Sequence, residues 1–217
     1  MTIAVITANL GNFDPKADYV EQSLPYDFYR FTDENFPPRH NSITPRLQAR
    51  IVKMFGWQMV PAHDYYIWVD ASCILSNKNS IKWFLEQCKD VDMAVFKHPH
   101  RNTIQQEADY LKERLRINDP YIVSRYKNEL IDEQLAVIKA DRGFADQNLF
   151  ASTAFVYRNN SKVQNVMFHW WHHTSRYHSI DQLSLPYILF KQRCTVRVIP
   201  DNYLKIPYLK HIRKLWT

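Results

Sequence analysis

Tyr65-Tyr66-Ile67-Trp68-Val69-Asp70-Ala71-Ser72-Cys73-Ile74-Leu75 is the stretch on which the reading of this chain turns. Tyr66 to Val69 are apolar or aromatic at consecutive positions. That pattern suits a strand buried on both faces, as in a parallel sheet, better than a strand with one wet face. Asp70 falls where such a strand ends, and in open α/β sheets ligands bind at the carboxyl ends of the strands. A carboxylate there, with the hydroxyl of Ser72 two residues on, offers hard oxygen ligands to a divalent cation. Asp and Ser are also common turn residues, so the segment alone fits an ordinary strand-to-turn junction better than a metal site.

The neighbouring segments extend this pattern. Before it, Ser42 to Met59 is predicted as a helix, with Ser42 or Thr44 as N-cap and Pro45 in the first turn. Arg46, Arg50 and Lys53 recur on it at spacings of four and three and share one face. Such a stripe is usually a solvated surface; it suits a diphosphate only if it points toward Asp70. Further back, Ile3 to Leu10 forms a β-branched first strand, with Thr7, Ala8 and Asn9 at its ligand-facing end. Tyr26 to Asp33 alternates as a second strand. After Asp70, a helix over 79–90 leads to a strand at Met93 to Phe96 and then the polar run Lys97-His98-Pro99-His100-Arg101. His98 and His100 lack a convincingly spaced third ligand for zinc. Arg101 is the more interesting member, because a guanidinium grips hydroxyls or phosphate in fixed geometry.

Helices are predicted over 105–117, 120–140 and 162–173, a strand over 149–157, and a late edge strand at Val196 to Pro200. Ser179 is positioned to cap a helix whose first turn holds Asp181 and Gln182. There the helix dipole would keep the Asp181 carboxylate ionised. His169, His172 and His173 on the aromatic helix read as packing and surface residues.

Bulk properties narrow the function classes. The 217 residues are 46% hydrophobic and include no low-complexity or Gly/Ser linker, so one α/β domain over 1–217 is expected. Three glycines leave no room for a Gly-rich phosphate loop. The net charge of +6 suits an anionic partner or an ordinary soluble surface. Three scattered cysteines argue against a disulfide framework and for a reducing, cytoplasmic compartment. No apolar run is long enough for a transmembrane segment, and the N-terminus lacks the pattern of a secretion signal. No nucleic-acid motif is present and the basic residues are dispersed, so no nucleic-acid partner is expected. A two-metal phosphohydrolase or nucleotidyltransferase would need more acids around Asp70 than Asp64 and Ser72 provide.

Taken together, these segments resemble the GT-A, Rossmann-like glycosyltransferases, over most of the chain. Trp68-Val69-Asp70-Ala71-Ser72 is similar to their Asp-x-Asp metal motif, with Ser in place of the second acid. Asp181-Gln182-x-x-Leu185 resembles the Asp-Gln pair below the donor sugar in glycogenin-like and galactosyltransferase-like enzymes. His211 to Trp216 resembles their late His-x-x-x-x-Trp, without its usual glycine. Phe96 to Arg101 followed by Gln106-Glu107-Ala108 is similar to the TOD1/MUCI70-like glycosyltransferase domains. The chain as a whole also resembles the N-terminal glycosyltransferase domain of a chlorella-virus multidomain protein, which would make the location host cytoplasm.

The resemblance implies a central, mostly parallel sheet flanked by helices, and hexosyl or deoxyhexosyl transfer from a nucleoside diphosphate sugar, with UDP as nucleotide, to a glycan or glycoprotein acceptor. It implies Mn²⁺ or Mg²⁺ held by Asp70, Ser72 and His211, with the imidazole favouring Mn²⁺. Thr7, Ala8, Asn9, Val69, Asp70, Ala71 and Arg101, with Arg46, Arg50 and Lys53, would meet the nucleotide and sugar. Asp181 and Gln182 would act at the anomeric centre. There they either steady a retaining reaction or supply, through Asp181, the base of an inverting one. The Ser72 replacement also keeps open a catalytically inactive nucleotide-sugar-binding module, and the +6 charge a basic nucleic-acid-binding one.

Overall fold

The computed structural model describes residues 1–37, 39 and 42–212. Strands β1 (Ile3–Asn9), β2 (Asp27–Thr32), β3 (Tyr65–Val69), β5 (Met93–Lys97), β6 (Phe150–Arg158) and β7 (Val196–Ile199) form one sheet in the order β2-β1-β3-β6-β5-β7. Pairing is parallel for β1–β2, β1–β3 and β5–β7; β6 alone runs against its neighbours β3 and β5. The expected mostly parallel α/β sheet is therefore present, with β7 at its edge. Strand β4 (Cys73–Leu75) leaves the sheet and pairs with β8 (Leu209–His211) as a separate antiparallel ribbon.

The strands alternate between two cores. Ala4, Ile6, Ala8, Tyr66 and Trp68 face helices α1 (Pro45–Met59), α3 (Ile104–Arg116), α4 (Pro120–Tyr126), α5 (Ile131–Ala140), α6 (Ser161–Arg176) and α7 (Leu185–Lys191). Ile3, Val5, Ile67 and Val69 face α2 (Ser80–Gln87) and the C-terminal segment. The period-two pleat fixes this division, and it puts Asp70 on the same side as Trp68 and α1.

Three local features depart from expectation. The helix expected over 120–140 is two helices, because Asn128 takes a left-handed φ of 69° that ends regular winding. Asp181 lies in a short 3₁₀ turn, Asp181–Leu183, and not in the first turn of an α-helix. Ser179 does not cap it: its hydroxyl and amide both donate to Glu129, at 2.5 and 2.8 Å. Helix α1 begins as expected, with Thr44 accepting from the Leu47 amide at 3.2 Å and Pro45 at the first position. It sits close on the sheet at Gly56, where a Cβ would lie 2.6 Å from Ile6 Cδ1.

Candidate active site

The strand-end acid and the Asp-Gln turn, 111 positions apart in sequence, meet through one buried lysine. Lys53, 1% exposed, brings Nζ to 2.7 Å from Asp181 Oδ2 and 3.4 Å from Asp70 Oδ1. Its ammonium lies within 6 Å of the rings of Trp68, Phe155 and Trp170, which exclude water around it. Trp68 Nε1 donates to Asp70 Oδ1 at 2.7 Å. Among the described residues no bond engages Asp70 Oδ2, on a side chain that remains 29% exposed.

Asp181 is almost fully enclosed. Arg50 Nε stands 3.4 Å from Oδ2, Ser152 donates to Oδ1 at 3.0 Å, and Trp170 Nε1 donates to the Asp181 carbonyl at 2.7 Å. Burial alone favours the protonated acid, but Arg50 and then Lys53 overcome it and hold the carboxyl below its ordinary pKa. Burial likewise works against the Arg50 charge, and Asp181 and Asp70 outweigh it, so the guanidinium pKa stands above its usual value. The ionised state of Asp181 thus comes from two cations and not from a helix dipole.

The basic stripe on α1 divides. Arg50 and Lys53 serve the acids. Arg46, one turn earlier, donates to the Arg125 carbonyl, pairs with Glu129 at 3.3 Å and stacks 4.2 Å from the Tyr126 ring. Its guanidinium is committed to α4 and the turn behind it, and in the structure it does not join Arg50 and Lys53.

At the other strand ends, Gln182 donates its amide nitrogen to Glu107, whose second oxygen accepts from Arg101 Nε. Arg101 also stacks 4.1 Å over Tyr110. His98 fixes the loop beneath: its Nδ1 accepts from the amides of Arg101 and His100, at 3.0 and 3.3 Å. Burial, helped by the Arg101 and His100 charges, pushes the His98 pKa down to about 4, so the ring stays neutral as an acceptor must. The polar run after β5 is accordingly a built loop. Glu107 entered the sequence reading only as part of the Gln106-Glu107-Ala108 segment and without a role, and Ser152 and Trp170, the partners of Asp181, were given no role at the site. Glu107 had a usable signal: it falls on the apolar stripe Ile104, Ala108, Leu111 of α3, where an unpaired acid would not be tolerated.

The ends of β1 and β2 border a shallow cleft lined by Thr7, Asn9, Lys16, Tyr19, Arg30 and Thr32 on one side and Ala71, Cys73 and Ile212 on the other. Ala8 and Val69 turn their side chains into the two cores, leaving only backbone for a ligand. Asn9 instead holds the following loop, donating to the Asp14 carbonyl at 2.8 Å. Lys16, Tyr19 and Arg30 lay outside the sequence expectation because the loop that carries two of them has no periodic signal.

His211 reaches this edge through the ribbon. It pairs with Cys73, and the next amide, Ile212, donates to the Ser72 carbonyl at 2.8 Å. Trp216, the far end of the expected His-x-x-x-x-Trp, lies outside the described residues. No group of three or more His, Cys, Asp or Glu is gathered for a cation among the described residues. The donor set is one carboxylate with a free oxygen, one hydroxyl and one imidazole carried on the adjoining strand, which fits a cation that takes its remaining ligands from a diphosphate. No helix of the described residues is long and apolar enough to cross a membrane.

A family model described as TOD1/MUCI70, glycosyltransferase-like domain, matches residues 40–208. No curated protein sequence matches. Among solved structures, the chain is similar to the crystal structure of a glycosyltransferase involved in the glycosylation of the major capsid of PBCV-1. That similarity has 9% identity and a TM-score of 0.49 over 92% of this chain and 83% of that one. It is similar also to the apo structure of the bifunctional glycosyltransferase WbbM, at 12% identity and a TM-score of 0.49 over 92% of this chain and 39% of that one.

Proposed function

The chain belongs to the TOD1/MUCI70 glycosyltransferase-like domain family, and from that premise we propose that it transfers a hexosyl or deoxyhexosyl group from a UDP-sugar to a glycan acceptor, with retention and with the help of a divalent cation. The observation that carries this reading is the shared lysine: Lys53 ties Asp70, at the nucleotide end, to Asp181 beside Gln182. A diphosphate leaving group and a sugar can therefore be served by one charge-balanced unit.

In this reading the cleft at β1 and β2 takes the nucleoside, with Lys16 and Arg30 as cations at its wall. Asp70, Ser72 and His211 would hold Mn²⁺ or Mg²⁺, which supplies Lewis-acid compensation for the charge of the departing diphosphate. The chain's own residues do the rest. Lys53 and Arg50 hold Asp181 ionised and still, so that its charge and the Gln182 amide bear on the anomeric carbon. The bond from that carbon to the diphosphate oxygen breaks, the bond to the acceptor oxygen forms on the same face, and the acceptor proton passes to the departing diphosphate.

Retention is favoured over inversion by the state of Asp181. A general base works best with a pKa near the working pH. Asp181 is held below the ordinary carboxylate range, is buried, and has its oxygens taken by Lys53, Arg50 and Ser152. It is suited to stabilising positive charge and poorly suited to collecting a proton.

Hydrolysis of a panel of UDP-, GDP- and dTDP-sugars, with Mn²⁺ and with chelator, tests the proposal. The wild type should release UDP only with the cation, and Asp70→Ala should abolish release. Near-normal release by Asp70→Ala contradicts the assignment.

A further inference from the structure

Glu107 is a carboxylate at 2% exposure, on the face of α3 that packs into the core. Its charge is compensated by Arg101, whose Nε donates to Oε2. Charge balance needs nothing more, yet Oε1 accepts a second bond, from the Gln182 amide nitrogen. That bond has a direction. An ionised carboxylate only accepts, so Gln182 must turn its NH₂ toward Glu107 and its carbonyl oxygen away. Gln182 is half-buried on the 3₁₀ turn next to Asp181, so the oxygen that turns away is the group left to meet a ligand.

We infer that Glu107 is a positioning residue: it fixes the Gln182 amide so that its carbonyl oxygen accepts from a hydroxyl of the donor sugar. This rests on the glycosyl-transfer reading above and adds the chemical sense of the contact, an acceptor in the protein facing a donor on the sugar.

The mount is rigid enough for the task. Asp146 accepts from the amides of Ile104 and Gln105 at 2.7 and 2.9 Å, and Thr103 accepts from Gln106 at 3.1 Å. These bonds satisfy the open amides of the first turn of α3, which holds Glu107. On the other side, His98 pins the Arg101 backbone and Tyr110 backs its guanidinium.

Glu107→Gln tests the inference, because a glutamine can present either an oxygen or an NH₂ and no longer dictates how Gln182 turns. With the UDP-sugar that wild type hydrolyses fastest, Glu107→Gln is expected to lose about tenfold in kcat/KM, an effect typical of one misdirected polar contact. Its affinity for UDP alone, measured by calorimetry, should stay within about twofold, a split that general damage to the fold would not produce. Because Glu107 acts through Gln182, the double variant Glu107→Gln/Gln182→Ala should be no worse than Gln182→Ala. Where Glu107→Gln does not fold, Glu107→Asp keeps the charge for Arg101 but withdraws from Gln182, and the same loss is expected. Wild-type kcat/KM in a folded Glu107 variant, or losses that multiply in the double variant, overturn the inference and leave the functional reading standing. A wild type that hydrolyses none of the panel removes both.

Discussion

At β1 and β2 the carboxyl edge of the sheet is met by residues 10–25, which contain no helix or strand and expose Phe13 at 61%. At β3, β6 and β5 it is met by α1, α3 and the 3₁₀ turn, and there Lys53, Glu107 and Asp181 are each less than 5% exposed. The open half offers a cleft with two cations at its wall. The closed half is already neutralised from within, as Asp70 and Asp181 with Lys53 and Arg50, and Glu107 with Arg101. The contrast assigns different costs to binding. A long loop of irregular chain adapts to its ligand, whereas groups fixed in a water-poor site stabilise developing charge without having to reorganise.

Breaking the closed half should have the largest effect. Asp181→Asn is expected to cut turnover at least ~100-fold, the lower end of losses when one preorganised electrostatic group is removed, while UDP affinity, which the proposed reading assigns to the open half, stays near wild type. Retained turnover with donor binding unchanged would show that the closed half is not where the chemistry is done. Lys53→Met should come next, and in stability. Removing one partner of a buried ion pair costs roughly 3–5 kcal/mol, and Arg50, still facing Asp181, keeps the loss near the lower end. That corresponds to a fall in melting temperature of roughly 6–12 °C, read by calorimetry. The smallest effect belongs to the open half: Lys16→Ala, at an exposed loop position, should weaken UDP binding by a few-fold and leave the melting temperature unchanged. A melting temperature that drops with Lys16→Ala but holds with Lys53→Met would reverse the comparison.

The two halves were also unequally legible in sequence. The strand ending at Asp70 announced itself by an unbroken apolar run. The resemblance of Asp181-Gln182 to a known pair was visible as well. What joins them was not. Arg46, Arg50 and Lys53 are equivalent by helical spacing, and only the partners arriving some 80 and 130 positions later, Glu129 and Asp181, separate the first from the other two. The expected capping role of Ser179 failed for a similar reason, since Glu129 takes its hydroxyl. The break near Asn128 and the ribbon of β4 with β8 escaped because each depends on few residues. Local periodicity finds elements; it does not tell which buried acid a given cation will choose.

Gly56 sets a length in this machine. Because it carries no side chain where Ile6 Cδ1 approaches, α1 lies close against β1. Lys53 stands on the same helix, less than one turn before it. A lysine arm has a fixed reach, so the interval between helix axis and sheet decides whether one ammonium can touch two acids at once. A single hydrogen atom in place of a methyl is therefore part of the gauge by which the Asp70 to Asp181 bridge is kept closed.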